Sequence, residues 1–231
     1  MTHVKLNTVP PLEELKQLVR NKDVTVELDS VNDTLYQLKN FFWICSDFIV
    51  GLNTSPGKMA PKHREGIDYN REHYQYNITA LMGVGLDRLL MLKTLDLSGH
   101  IIGGNADRLK VLTCLVSLTL WDCDLTSGFV MPFLPNLTSL DISNNPYLHT
   151  IDGLTSLTSL TFLGVERCGL NGSLASLASL PRLTWLDVSY NPGLRNIGDL
   201  TTLTKLTILN VAGCRLDDDS LTKLTILNVA G

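Results

Sequence analysis

A leucine frame returns about every 23 residues through roughly the last 140 residues of the chain. It has the form Leu-x-x-Leu-x-Leu-x-x-(Asn/Cys)-x-Leu. The clearest members are Leu115, Leu118, Leu120, Cys123, Leu125, then Leu137, Leu140, Ile142, Asn145, then Leu160, Leu163, Val165, Cys168, Leu170. The frame continues through Leu183, Leu186, Val188, Asn191 and Leu206, Leu209, Val211, Cys214, Leu216. A less regular member, Leu92, Leu95, Leu97, His100, Ile102, precedes these, and a truncated one, Leu224, Leu227, Val229, closes the chain. One such unit cannot bury its own apolar side, so the units must stack and share a continuous core. With 44 leucines among 231 residues, there is enough aliphatic side chain to build one.

The units come in two kinds. Asn-Pro turns, Asn145-Pro146 and Asn191-Pro192, are followed by Ile-x-x-Leu-x-x-Leu, as in Ile151, Leu154, Leu157 and Ile197, Leu200, Leu203. Cys turns lead into different returns, through Asn171-Gly172-Ser173-Leu174 or Asp217-Asp218-Asp219-Ser220. A two-unit block of about 46 residues is therefore duplicated. The spaced leucines of the returns predict a helical or 3₁₀ turn, and the Pro and Gly after each turn disfavour long helices. Cys123, Cys168 and Cys214 take the slot of Asn145 and Asn191 and read as small buried turn residues.

Over residues 83–231 the pattern resembles the leucine-rich repeat family. The resemblance implies an α/β solenoid, with a curved parallel sheet inside, irregular or short-helical returns on the convex side, and an N-terminal α/β cap. It implies that the turn Asn bonds backbone groups of neighbouring repeats, and that the protein recognises another protein through its concave face. A structural subunit of a larger assembly, held by its repeat edges and N-terminal region, is the alternative. The domain expectation is a capping region over 1–80, mainly helical, and about seven repeats over 81–231, the last truncated.

Residues 1–80 carry no clear frame. Leu12, Leu15, Leu18 and Val19 have helical spacing, Val24–Leu28 alternates as a strand, and Leu35, Leu38, Phe41, Phe42 and Cys45 again suggest a helix. The apolar run Phe41–Val50 contains Asp47 and is too short to cross a membrane, so it reads as a buried helix. Asn53 to Gly66, with two prolines and two glycines, reads as a loop or linker. Tyr74-Gln75-Tyr76-Asn77 has the makings of a degenerate repeat strand. An independent N-terminal domain is the competing reading of this region. At the far end, Leu203–Gly213 recurs unchanged as Leu221–Gly231 at an offset of 18 residues; with no repeat after that strand in the sequence, Leu224 and Leu227 are expected to be more exposed than Leu183 and Leu186, or else covered by another molecule.

No pattern of catalytic chemistry emerges, so no enzyme activity and no cofactor are expected. The chain lacks a Gly-x-Ser-x-Gly elbow, a phosphate-cradling Gly-x-x-x-x-Gly-Lys-Ser/Thr and a Cys-x-x-Cys pair. Met82-Gly83-Val84-Gly85 has two of the three glycines of a dinucleotide loop and reads as a turn. Asp217-Asp218-Asp219 lacks the alternation of a calcium loop and reads as a solvated turn. A formal net charge of −4 and the absence of a basic stripe argue against a general nucleic-acid binder. Five cysteines without clustering, and no apolar leader, point to a reduced, cytoplasmic setting.

Strand alternation turns the residues between and just after the strand leucines to the open side of the sheet. Large aromatics gather there in the middle repeats as Trp121, Phe162, Trp185 and Tyr190, and acids recur as Asp96, Asp122, Asp141, Glu166 and Asp187 with Arg167 alone opposing them. The candidate partner-binding set is Trp121, Asp122, Asp141, Phe162, Glu166, Arg167, Trp185, Asp187 and Tyr190. Trp121 and Trp185 are expected to stand exposed on adjacent strands. A partner with basic and apolar groups fits such a face. Two plainer readings compete: the acids follow a Leu-Asp-Leu-Ser habit of the repeat, and the aromatics stack on one another to shield the sheet.

Overall fold

The structure, a computed structural model, describes residues 2–6, 24–28, 49–53, 78–83, 85–104, 106–217 and 219. Among the described residues the chain forms one nine-stranded sheet whose strands follow chain order: β1 (Thr2–Leu6), β2 (Val24–Leu28), β3 (Ile49–Asn53), β4 (Thr94–Asp96), β5 (Ser117–Thr119), β6 (Ser139–Asp141), β7 (Phe162–Gly164), β8 (Trp185–Asp187) and β9 (Ile208–Asn210). Every neighbouring pair is parallel. A short helix, α1 (Ile78–Gly83), leads into the first described leucine repeat.

The leucine frame sets the register. Leu95, Leu118, Leu140, Leu163, Leu186 and Leu209 are Cα partners in succession and all are buried. The strands are only three residues long, but pairing runs further: the N–H of Leu120 donates to Asp141 O (2.7 Å) and that of Asp122 to Ser143 O (3.1 Å). The chain returns through 3₁₀ turns at Leu86–Arg88, Ala106–Val111, Asp152–Leu154, Ala175–Ser179 and Gly198–Thr202. Each buries at least one leucine, which is the turn the leucine spacing predicts.

Three of the nine strands lie in residues 1–80. Val24–Leu28 forms the expected strand, β2. β1 and β3 had no counterpart in the reading of the sequence, and Ile49 and Val50, placed there at the end of a helix, belong to β3 instead. Five extended residues suffice for a parallel pairing, with no leucine frame to announce it. β3 pairs with β4, so the first leucine repeat has its sheet edge covered. The helices expected over 12–19 and 35–45, and the strand expected at 74–77, lie outside the described residues.

The turns after the strands divide by chemistry. Buried Asn191 accepts the N–H groups of Cys168 (2.9 Å) and Leu170 (3.0 Å) in the preceding repeat, and its amide donates to the carbonyls of Val165, Val188 and Ser189. Asn145 does the same for Cys123 and Leu125. Each Asn thus satisfies the turn of the Cys repeat before it. The cysteines act differently: the thiols of Cys123, Cys168 and Cys214 donate to Leu97 O, Ile142 O and Val188 O, one repeat back. The next residue differs too. Asp124 and Gly169 are left-handed (φ +53° and +63°), whereas Pro146 and Pro192 stand in the Asn turns.

A threonine ladder runs beside the sheet. The hydroxyls of Thr161, Thr184 and Thr207 donate to the carbonyls of Thr138, Thr161 and Thr184, each at 3.0 Å. Each of those carbonyls also takes two backbone N–H groups from the next repeat. At the last described repeat the core loosens: Leu206, Val211, Cys214 and Leu216 are only partly buried, while Leu183, Val188, Cys168 and Leu170 at the same positions are buried. Leu224 and Leu227 lie outside the described residues.

Candidate functional site

Because the strands are in register, the residues turned away from the core form rows across the sheet. The row at the start of the strands reads Thr94, Ser117, Ser139, Phe162, Trp185, Ile208. The row at their ends reads Asp96, Thr119, Asp141, Gly164, Asp187, Asn210. Two further rows follow the strands, first Ser98, Trp121, Ser143, Glu166, Ser189, Ala212, then Gly99, Asp122, Asn144, Arg167, Tyr190, Gly213.

The first row changes character between β6 and β7. Three small hydroxyl side chains give way to Phe162, Trp185 and Ile208. The rings of Phe162 and Trp185 stack face to face with centroids 4.1 Å apart and planes 8° from parallel. The register produces this contact, since side chains at one position of adjacent parallel strands are held about 4.8 Å apart. Such a pair contributes about 0.5–1.5 kcal/mol beyond its buried area. Both rings are half-buried, and Ile208 beside Trp185 is 53 % exposed.

The second row explains most of the recurring acids. The Asp96 carboxylate accepts the N–H and hydroxyl of Ser98, Asp141 accepts the N–H of Ser143, and Asp187 accepts the N–H of Ser189. Asn210 accepts the N–H of Ala212 in the same way. Each side chain closes the turn that ends its strand, the usual task of Asp and Asn two residues before a free amide. The plainer reading of Asp96, Asp141 and Asp187 therefore has a physical basis.

The fourth row is left-handed throughout, from Gly99 at φ 76° to Gly213 at 69°. Asp122 (55°) and Asn144 (59°) tolerate this conformation; Arg167 and Tyr190, both at 53°, hold it under strain. The Arg167 guanidinium lies 4.2 Å from the centre of the Tyr190 ring and pairs with Glu166. Tyr190 is exposed on one side and lies against Gly213 on the other, where a Cβ would come within 2.9 Å of its ring.

The nine candidate residues thus form two contacting groups rather than one patch. Phe162 and Trp185 make the first, and Glu166, Arg167 and Tyr190 the second, with Asp141 and Asp187 in the row between. Trp121 and Asp122 stand apart. Trp121 follows β5 and Trp185 lies in β8, so the two are not on adjacent strands: β6 and β7 intervene, a lateral offset of about 14 Å from the strand spacing, and Trp121 stands four positions past the register equivalent of Trp185, Ser117. Both indoles are half-buried rather than fully exposed. Ile208 and Gly164 belong to the same surface but were not among the candidates. Ile208 shares the register position of Phe162 and Trp185, and that signal was open to a row-by-row reading.

The turn thiols are chemically quiet. Burial pushes the Cys168 thiol up to about 12, against a weaker opposing pull from the Asn145 backbone N–H, and Asp141 adds to the rise. Burial likewise raises Cys123 and Cys214. The four described cysteines, Cys114, Cys123, Cys168 and Cys214, are all free thiols. Among the described residues, no group of three His, Cys, Asp or Glu side chains is placed to hold a metal ion. No helix among them is long and apolar enough to cross a membrane.

An open parallel sheet with a buried leucine at the centre of each strand, Asn and Cys turns and 3₁₀ returns defines a leucine-rich repeat solenoid. No protein-family model and no curated protein matches the chain. Solved structures do. An internalin from Listeria monocytogenes is 18 % identical over 95 % of this chain and 62 % of its own, with a TM-score of 0.56. The Toll–Spatzle complex of Drosophila is 17 % identical over 94 % of this chain and 32 % of that one, with a TM-score of 0.59. The TLR13–ssRNA13 complex is 18 % identical over 93 % and 36 %, with a TM-score of 0.51. The chain spans less than two thirds of each, and the likeness is one of fold. One of these structures is a complex with RNA, so the fold as such does not exclude nucleic acid.

Proposed function

We propose that the open sheet face is a docking surface for a protein partner, centred on Phe162, Trp185 and Ile208 and flanked by Asp141, Asp187, Glu166, Arg167 and Tyr190. The observation that carries this is the switch within one row from Thr94, Ser117 and Ser139 to Phe162, Trp185 and Ile208. The fold accepts a hydroxyl at that position, so it does not demand an aromatic there. Clustered, partly exposed aromatics are the side chains that dominate interface energetics. Arg167 and Tyr190 hold a left-handed backbone where the ends of the same row use glycine, and that strain sets their stacked side chains on the rim of this face. A protein is favoured over nucleic acid because the described face carries several carboxylates and one arginine, itself paired with Glu166. The free thiols that serve as backbone donors favour a reducing, cytoplasmic setting. The role is recognition rather than catalysis. The strands of residues 1–80 serve as the cap on the repeats.

The test replaces the aromatics with what the earlier strands carry. Phe162→Ser with Trp185→Ser is expected to leave a cooperatively folded protein and to weaken partner binding by about 2 kcal/mol or more, roughly thirty-fold. A variant that folds and binds normally places the interface elsewhere. The partly covered core at Leu206, Val211, Cys214 and Leu216 supports a second reading, assembly through the repeat edge. Concentration-dependent sedimentation that survives the double substitution would favour it.

A further inference from the structure

The three acids of the strand-end row are not equivalent. Asp187 uses both oxygens, one on the Ser189 N–H (2.8 Å) and one on the Asn210 amide (2.9 Å). Asp141 uses only Oδ1, on the Ser143 N–H (3.0 Å), and its Oδ2 accepts no hydrogen bond from a described residue. The register neighbour of Asp141 is Gly164. A Cβ on Gly164 would come 2.8 Å from Asp141 Oδ1 and 3.2 Å from Ser143 Oγ. The missing side chain therefore lets the Asp141 carboxylate lean across β7. Phe162 lies two residues back on the same strand and face, about 6.7 Å along it, with Trp185 stacked against it. A half-buried carboxylate with a free oxygen thus adjoins an apolar aromatic shelf.

Resting on the docking reading above, we propose that Asp141 receives a basic side chain of the protein partner, an arginine, whose stem lies over the Phe162–Trp185 stack. The chemistry of arginine fits both parts. Its aliphatic stem covers apolar surface, its planar head lies well on aromatic rings, and its fork of donors meets a carboxylate. Charge complementarity selects this occupant over an acidic or purely apolar one. The strand-end row carries Asp96, Asp141 and Asp187 and no cation, and Arg167 on the neighbouring rim is paired with Glu166. Gly164 is part of the device, because any side chain there would push the carboxylate aside.

The test uses the full chain and a display library of random peptides. Ligands selected on the wild-type protein are measured by calorimetry against the wild type, Phe162→Ser/Trp185→Ser and Asp141→Asn. Asn is a fair probe because Asn210 closes the equivalent turn through its own side-chain oxygen. The expected ligands carry an arginine. Its replacement by citrulline, and Asp141→Asn in the protein, each weaken binding at least ten-fold, and the two together weaken it little more than either alone. Binding also falls as salt rises. Ligands that need the aromatic pair but lack a basic residue, or for which the citrulline and Asn effects simply add, overturn this inference and leave the docking surface standing. Failure to select any ligand that depends on the aromatic pair removes the docking surface, and this inference with it.

Discussion

Asn191→Ala should cost as much as the loss of a fully buried leucine. The carboxamide makes five hydrogen bonds in a site with no solvent exposure. The three carbonyls it serves keep a second lone pair and a weaker claim on a partner. The two amides, Cys168 N–H and Leu170 N–H, have a single hydrogen each. An orphaned buried donor costs about 1–3 kcal/mol, so the pair comes to about 2–6 kcal/mol. Asn191→Cys is the substitution that slot comparison recommends, because Cys168 and Cys214 occupy the same place one repeat away. A thiol is a weak acceptor. A sulfur in this slot can take at best a weak bond from the nearer amide, so the variant should recover part of one contact and none of the Leu170 contact. Its expected loss is about half that of the alanine variant, on the order of 1–3 kcal/mol. Urea melts give the stabilities, and amide exchange at Cys168 and Leu170 gives the location. Wild-type stability in Asn191→Ala, or unchanged protection of those two amides, would refute the bookkeeping of donors on which this rests.

Two other outcomes follow from the same packing. Leu163→Ala, at a fully buried anchor of a central strand with a repeat on either side, should lose about 2–5 kcal/mol in denaturant melts, and a loss under ~0.5 would contradict its inward placement. Burial raises the turn thiols above their ordinary value of 9.0, so their contribution is complete below that pH and is lost as pH rises toward their folded values. Stability should therefore fall above pH 9 by up to about 1.4 kcal/mol per pH unit for each such thiol, less steeply in Cys168→Ala. Reducing agent should leave the melting point unchanged at neutral pH, and a lowered one would reveal a disulfide.

The leucine frame located the last six strands because a repeat tells its anchors by position, and position survives stacking. It could not separate Asn from Cys, which share a slot and both reach the preceding repeat, the one with a carboxamide that accepts two N–H groups and donates, the other with a thiol that only donates. The acids were visible as residues but not as turn closures, since the acceptor of the Ser143 or Ser189 amide is fixed only once the backbone turns. Phe162 and Trp185 were legible as a pair because register is exact between repeats of equal length. Trp121 and Trp185 share a face but not a neighbouring strand, because two whole repeats separate the strands they belong to. β1 and β3 escaped notice for a simpler reason. β2 announced itself by the alternation Val-Thr-Val-Glu-Leu, whereas β3, Ile-Val-Gly-Leu-Asn, does not alternate and ends an apolar run, and β1 carries one β-branched apolar residue, Val4, flanked by polar ones.

The dependence of each Cys turn on the Asn that follows it also constrains how the molecule can change its length. Removing one Asn-type repeat would bring two Cys turns together and strip the earlier turn of its carboxamide oxygen. Removing an Asn repeat with its Cys neighbour leaves every remaining turn facing the partner it has now. Relatives of this chain should then differ by steps of about 46 residues rather than 23, so that ancestry counts in pairs where the sequence counts in singles.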